Sequence, residues 1–435
     1  MKNYTKWVIF TFLASMLAFI LSPSLERLLT STSYYGLRIQ IMYLSGTLGI
    51  IFMSAAVIAS ARISFINNLL GGLDKAYNFH KLSAGLGFLF GFIHYIISFS
   101  NKMLIKAGII ESPSSTNHLT GTILEIYKAS YAFLEPAFII MIVVVFIAAY
   151  RKIPYHIFQY THKLIPLLYL FVAFHAFATI FRGGWVGTIG GVILHAFVII
   201  GAVCAIITLF QLTGINKRFN GTIKSIKSIQ TGIIEIKISA PDTFKYKAGQ
   251  FVFLKFKFSF EPHPFSIASY SNDGILTFYI KESGDFTNKI VNNIKEGETV
   301  RVEGPYGQFT FDDSNKNQLW IAGGIGITPF IAALENLSSN KNDKNITLIL
   351  SNVGKSPFED EIKSLCSKSN IKLISVDTDK DGLLTYDKIK SLAADISSSS
   401  IWFCGPYGFR RCVEKGLKAD NISIKNLHYD SFTFR

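Results

Sequence analysis

The chain has 435 residues, 49% of them apolar and only 17% charged, with a formal net charge of +14. That length exceeds one ordinary domain and points to two or three. The positive balance holds no run of five Lys or Arg and no basic helix interleaved with aromatics, which excludes nucleic-acid binding. The cysteines Cys204, Cys366, Cys404 and Cys412 lack both a CxxC metal spacing and the paired pattern of a secreted scaffold, as suits a reducing compartment.

The apolar excess lies in residues 1–212, where six spans can be drawn at about 7–22, 38–60, 77–100, 130–150, 159–181 and 188–212. Each approaches the ~20 residues that cross a ~30 Å hydrocarbon core. Met1–Lys6 followed by Trp7–Leu21 has the outline of a signal peptide but no small-x-small cleavage site, so it reads as a retained first helix. Lys2, Lys6, Arg62, Lys75, Arg151, Lys152, Lys217 and Arg218 flank alternate ends of the spans and put both termini in the cytoplasm. The longer connection 101–129, with Lys102, Lys106 and Lys128, then lies outside.

Ligand-capable side chains inside a span carry a solvation cost and suggest a function. The third span holds His80 and His94, fourteen residues apart, and the fifth holds His162 and His175, thirteen apart. Fourteen residues are nearly four helical turns, about 21 Å, so His80 and His94 share a face. Thirteen leave His175 roughly 140° from His162 in a regular helix, and Pro166 between them can distort that helix. A lone histidine of this kind is readily explained by an interhelical hydrogen bond. Four in two depth-matched pairs, His80 with His162 and His94 with His175, favour two stacked haems clamped through axial nitrogens. His195 has no partner at matching spacing and is read as structural, and His118 and His156 as solvated residues of connections.

After Gly214 short alternating strands appear at Gly221–Ile226, Ile233–Ser239, Gln250–Phe256, Ile275–Ile280 and Thr299–Val302, with Asn272-Asp273-Gly274 and Lys295-Glu296-Gly297 as turns. They suggest a small antiparallel β-barrel. From Asn317 buried-type runs at Gln318–Ala322, Ile346–Leu350, Lys372–Val376 and Ser400–Cys404 alternate with helical stretches, as in a parallel α/β domain. The expected architecture is a membrane α-helical bundle of six spans (1–214), an antiparallel β-barrel domain (215–314) and an α/β nucleotide-binding domain (315–435). Gly323-Gly324-Ile325-Gly326-Ile327-Thr328-Pro329 follows the strand Leu319–Ala322 and precedes a helix, Phe330–Leu337. Glycines there let the backbone approach a pyrophosphate, and the helix N-terminus favours its charge.

His263-Pro264-Phe265-Ser266, together with the order of these segments, resembles the ferric reductase and NADPH oxidase family, a six-span haem domain fused to a ferredoxin-reductase-like FAD and NAD(P)H module. The resemblance covers nearly the whole chain. It implies that His263, Pro264, Phe265 and Ser266 line the isoalloxazine and ribityl part of an FAD. It also implies that Gly284, Phe286 and Thr287, in Gly284-Asp285-Phe286-Thr287, approach the pyrophosphate, and that Gly304-Pro305-Tyr306-Gly307 is the tight turn closing the flavin domain. Gly323, Gly324, Gly326, Thr328 and Pro329 would hold the nicotinamide nucleotide, with Cys404, Gly405 and Pro406 beside the nicotinamide. Phe434, in Tyr429-Asp430-Ser431-Phe432-Thr433-Phe434-Arg435, would stack on the flavin and move when nicotinamide enters.

Many relatives carry an Arg after the second strand of the nucleotide domain to hold a 2′-phosphate. This chain has Ser351-Asn352-Val353-Gly354-Lys355, and Lys355 lacks the planar fork of Arg, so the nucleotide is written NAD(P)H. The resemblance implies an NAD(P)H-dependent oxidoreductase that transfers electrons across the bilayer from NAD(P)H through FAD and two b-type haems. The acceptor on the opposite side would be oxygen, giving superoxide, or a ferric chelate. Such a protein is multi-pass in the cell membrane, with its FAD and NAD(P)H domains cytoplasmic. The other reading is a haem-flavin subunit that donates electrons to a membrane or periplasmic partner protein. No inverted repeat or mid-membrane charge pair supports a transporter.

Overall fold

The computed structural model describes residues 3–110, 119–150, 152–259, 261–340, 343–393 and 395–430. The chain divides into two compact units, Met1–Gly214 and Ile215–Arg435.

The first unit is helical: α1 (Asn3–Ile20), α2 (Pro23–Thr30), α3 (Tyr34–Ser60), α4 (Ser64–Leu70), α5 (Leu73–Lys106), α6 (Gly121–Ala149), α7 (Tyr155–His162), α8 (Ile165–Gly183) and α9 (Ile189–Leu209). Among the described residues five spans are long and apolar enough to cross a bilayer, with α7 and α8 together as one of them, and the pair α1 and α2, bent by 68°, makes a sixth if it is counted as one span. The bend sits where the Ser22 hydroxyl accepts the Ser24 N–H and Pro23 opens the next helix without an N–H to lose. The expected connection 101–129 is helical at both ends, since α5 runs on to Lys106 and α6 begins at Gly121. These extensions are polar enough to have escaped a hydropathy reading. His156 lies in α7, exposed, rather than in a connection, and His118 lies outside the described residues, as do Lys2 and Arg151.

Helices α3 and α5 approach backbone to backbone. A Cβ on Gly49 would lie 2.9 Å from the Gly91 nitrogen, and one on Gly87 would lie 2.8 Å from the Met53 nitrogen. Small residues permit such contact in lipid, where apolar surface gives no advantage to association and close packing must supply it.

The second unit opens with a seven-stranded antiparallel sheet. Its strands are β1 (Arg218–Gln230), β2 (Ile233–Ser239), β3 (Phe251–Lys255), β4 (His263–Ser266), β5 (Ser269–Tyr270), β6 (Ile275–Lys281) and β7 (Thr299–Tyr306), in the order β4-β3-β7-β1-β2-β6-β5. Helix α10 (Asp285–Asn293) joins β6 to β7. Alternation fixes the register: Ile234, Ile236 and Ile238 are buried while Glu235 and Lys237 between them are not. The edges meet through the link between β4 and β5, where the Ile267 N–H donates to Gln250 (3.0 Å) and the Ala268 N–H to Thr277 (2.9 Å). The sheet therefore closes on itself as a barrel does. Gly304-Pro305-Tyr306 ends β7 rather than forming a turn, with Tyr306 paired to Phe251. The chain turns one residue later at Gly307, whose φ of +102° suits glycine.

A five-stranded sheet follows: β8 (Asn317–Gly323), β9 (Asn345–Asn352), β10 (Lys372–Asp377), β11 (Ser400–Cys404) and β12 (Leu427–Tyr429), in the order β10-β9-β8-β11-β12 with every pairing parallel. It carries α11 (Thr328–Ser339), α12 (Glu359–Lys368), α13 (Tyr386–Leu392) and α14 (Tyr407–Ala419). Leu319 to Ala322 and Ser400 to Cys404 are buried throughout, as strands covered on both faces must be. Phe309 and Phe311, just after β7, pack on Trp320, Phe330 and Trp402 and join the barrel to this sheet. The buried indole N–H groups are satisfied: Trp320 donates to Gln318 (2.9 Å) and Trp402 to Ser400 (3.3 Å).

Candidate functional site

In the helical unit the four expected histidines meet in two pairs. The His80 and His162 ring centroids are 6.1 Å apart and the His94 and His175 centroids 6.4 Å apart, with planes inclined by 81° and 66°. A metal held between two imidazoles at the usual ~2 Å metal–nitrogen distance separates the centroids by about 6 Å. The phase problem on the fifth span is solved by a break: α7 ends at His162, and α8 restarts at Ile165 with Pro166 in its first turn.

The imidazoles of α5 are oriented from behind. His80 Nδ1 lies 2.9 Å from the Ala56 carbonyl and His94 Nδ1 2.8 Å from the Met42 carbonyl. Ala56 and Met42 are fourteen residues apart on α3, the spacing of the two histidines on the facing helix. With Nδ1–H donated to a carbonyl, Nε2 keeps its lone pair for a metal. His162 Nδ1 and His175 Nδ1 are buried with no hydrogen-bond partner among the described residues, which is costly for a ring with nothing to bind. Among the described residues no three His, Cys, Asp or Glu side chains are placed to hold a metal ion. Each pair therefore offers two ligands, which fits an iron whose four equatorial positions are filled by a macrocycle.

The surroundings of His175 carry no signal in the sequence. Tyr131 stands edge-on to it at 4.6 Å, and Tyr127 packs on Tyr131 at 4.9 Å. Arg182 is in the last turn of α8, exposed, and donates to the Tyr127 hydroxyl while lying over its ring at 5.1 Å. His195, read as structural, has Nδ1 2.8 Å from the Gly191 carbonyl of its own helix.

In the second unit the two expected flavin segments are in contact. His263, at the start of β4, stacks on Phe286, in the first turn of α10, with centroids 3.4 Å apart. Burial lowers the His263 imidazole pKa to about 4, so it is neutral at physiological pH. Pro264, Phe265 and Ser266 continue β4 opposite Phe253, Val252 and Phe251. Gly284 precedes α10, and Thr287 accepts the Ser283 N–H (2.8 Å) and donates to the Gly284 carbonyl (3.1 Å), which folds the segment into the helix start. A cleft of about 500 Å³ lined by Lys257, Phe258, Lys289, Asn293 and Glu298 contains none of the expected site residues.

The nucleotide motifs lie at the carboxyl ends of β8 and β11, adjacent strands from which the chain winds outward in opposite directions. Such a switch point opens a crevice for ligands. Gly405 Cα is 3.4 Å from where a Gly323 Cβ would stand, and a Cβ on Gly326 would strike the Cys404 carbonyl. Gly324 starts a 3-10 turn with φ +56°, and Thr328 and Pro329 open α11, where Thr328 donates to the Ile325 carbonyl (2.8 Å). The Cys404 thiol is buried and its pKa is pushed up to about 12, chiefly by burial, so it is no nucleophile. Pro406 packs against Gly323. Asp430 lies beside Gly307, and Phe434 falls outside the described residues.

Comparison with known proteins now bears on both units. A ferric reductase like transmembrane component matches residues 45–173, which include His80, His94 and His162, and an FAD-binding domain matches residues 218–310. The first unit therefore contains a ferric reductase like transmembrane component and the second an FAD-binding domain. It is 31% identical over 215 residues to Ferric reduction oxidase 7, chloroplastic, of Arabidopsis thaliana, covering 44% of this chain and 27% of that one. It is 26% identical over 221 residues to Respiratory burst oxidase homolog protein E of Arabidopsis thaliana, covering 45% and 23%. It is 25% identical over 328 residues to a superoxide-generating NADPH oxidase heavy chain of Dictyostelium discoideum, covering 65% and 44%. The chain spans 23–27% of the length of the two Arabidopsis relatives. The chain is a multi-pass membrane protein with an FAD-binding domain.

Proposed function

We propose that this chain is an NAD(P)H-dependent oxidoreductase that moves electrons across a membrane to a small acceptor, oxygen or a ferric chelate. The observation that carries the reading is the pair of histidine pairs, at 6.1 and 6.4 Å, in a chain that also has an FAD-binding domain and a dinucleotide-type crevice. His80 with His162 and His94 with His175 would each hold a haem. His263 to Ser266, Gly284, Phe286 and Thr287 would hold FAD, and Gly323 to Pro329 with Cys404 to Pro406 would hold the nicotinamide nucleotide. When bound, the nucleotide, flavin and haems supply hydride and single-electron chemistry.

The residues of the chain bind and orient. The Met42 and Ala56 carbonyls fix the two α5 imidazoles with Nε2 free of hydrogen. Two histidines would hold each haem, which would supply single-electron transfer there. Neutral His263, stacked on Phe286, would bring no charge to a bound flavin. The N-terminus of α11 would offer its amides to a pyrophosphate. The FAD and NAD(P)H domains would be cytoplasmic, with the acceptor on the opposite side of the membrane.

The test is NAD(P)H-driven cytochrome c reduction by the purified, FAD-supplied chain in detergent, with and without superoxide dismutase. Suppression by the dismutase identifies oxygen as the acceptor, and dismutase-indifferent turnover identifies direct reduction of added acceptors such as ferric chelates. No turnover with any small acceptor refutes the proposal.

A further inference from the structure

This inference rests on the nucleotide site proposed above and concerns which nucleotide it takes. A dinucleotide with its pyrophosphate at α11 directs its adenosine ribose toward the carboxyl end of the next strand, where a carboxylate suits a free 2′-hydroxyl and a guanidinium suits a 2′-phosphate. Here that strand, β9, ends at Asn352, beside Gly324, and the carboxylate at its rim comes from Asp377 at the end of neighbouring β10, which holds the Gly354 N–H (2.9 Å).

The Asp377 carboxylate is built into the rim. Its Oδ1 accepts the N–H of Gly354 (2.9 Å) and of Asp379 (3.1 Å), and the Asp377 N–H donates to Asp381 (3.0 Å). The N–H and hydroxyl of Thr378 both donate to the Asn352 carbonyl, at 2.9 and 3.2 Å, and tie the two loops together. The cations nearby are engaged: Lys355 Nζ is 3.1 Å from Asp360, and Lys380 Nζ is 3.7 Å from Asp377. Loops 352–360 and 377–382 carry the carboxylates of Glu359, Asp360, Asp377, Asp379 and Asp381 against Lys355 and Lys380, while Lys363 pairs with Glu359 (2.8 Å) and Lys388 donates to the Asp381 carbonyl (2.6 Å), five negative charges against four positive. No arginine occurs from residue 324 to 409. Arg410 lies over the Tyr429 ring at 4.1 Å and pairs with Glu414, at the β11 and α14 side of the sheet.

A 2′-phosphate brings about −1.5 to −2 charge and three acceptor oxygens that need donors. At this rim it would meet an excess of carboxylates and no planar fork. A ribose with free hydroxyls can instead donate to Asp377. We propose that Asp377, with Lys355 held by Asp360, makes NADH the preferred nucleotide of this site over NADPH.

The experiment uses the full chain in detergent with FAD. It measures kcat/KM for NADH and NADPH, and by calorimetry the binding of ADP-ribose and 2′-phospho-ADP-ribose. The expected result is a preference of at least about tenfold for the unphosphorylated form in both measurements, as one unpaired like-charge contact implies. Asp377→Asn narrows that preference. So does Asp360→Asn at an exposed position that the fold tolerates, by lowering the KM for NADPH more than that for NADH. Equal or better use of NADPH, with binding to match, overturns the inference and leaves the proposed function standing. An NADH preference unchanged in both variants overturns the roles given to Asp377 and Asp360. Failure of both adenosine ligands to bind overturns the nucleotide site and this inference together.

Discussion

Substituting Gly46 by alanine probes the outer histidine pair without removing a ligand. A Cβ at Gly46 would stand 2.8 Å from His94 Nδ1 and 3.1 Å from Cε1, whereas ordinary contact begins near 3.4 Å. The ring must retreat by about 0.6 Å, the difference between those distances. Met42, whose carbonyl holds Nδ1 at 2.8 Å, is one turn earlier on the same helix, so retreat from one is retreat from both. The hydrogen bond then stretches to the limit of useful geometry, a loss of about 1 kcal/mol. Loss of the group that orients a metal-binding histidine costs roughly 10–100-fold in metal affinity. Gly46→Ala should therefore purify with close to one haem per chain instead of two, measured as the pyridine haemochrome per protein. The retained haem should be lost in a further His80→Ala variant. Two haems per chain, with unaltered spectrum and midpoint potentials in Gly46→Ala, would refute this account of His94.

Other expectations follow from the second unit. Burial, and then the neighbouring Glu361, push the Glu335 carboxyl up to about 7. The folded chain keeps a proton there that the unfolded chain loses near pH 4.5, so stability falls as pH rises from about 4.5 to about 7. Glu335→Gln should accordingly raise the Tm at pH 8 and change it little at pH 4.5. A Cβ at Gly326 strikes the backbone carbonyl of Cys404, which cannot swing aside. Gly326→Ala should destabilise the unit by about 1–3 kcal/mol in urea unfolding and weaken nucleotide binding. The thiols of Cys366 and Cys404 are buried and raised to about 12, while Cys412 is half-exposed. Iodoacetamide at pH 8 should label Cys412 first by peptide mass spectrometry. Early labelling of Cys404 would show that the β11 turn opens.

The architecture was legible where periodicity is strong. The strands Ile233–Ser239 and Ser400–Cys404 have the same bounds in sequence and structure, because alternation in one and unbroken burial in the other leave no alternative register. Spans were legible as apolar runs, but their ends were not: α6 starts at Gly121 because a helix continues past the hydrocarbon as long as its backbone bonds are made. Histidine spacing identified both pairs, and Pro166 marked the place where the helix restarts. The carbonyls of Met42 and Ala56, the Tyr131 edge on His175 and the Asp377 cap on Gly354 were not legible. Each depends on which residues a distant element presents, and backbone carbonyls carry no side-chain signature.

The most direct test of the central claim is an anaerobic optical titration of the purified, FAD-supplied chain with NADH. The account predicts about two low-spin haems per chain, reduced by NADH at a rate that collapses when FAD is omitted. His94→Ala and His162→Ala should each remove a different haem. Absence of haem, or haem that stays oxidised with NADH and FAD both present, would contradict it.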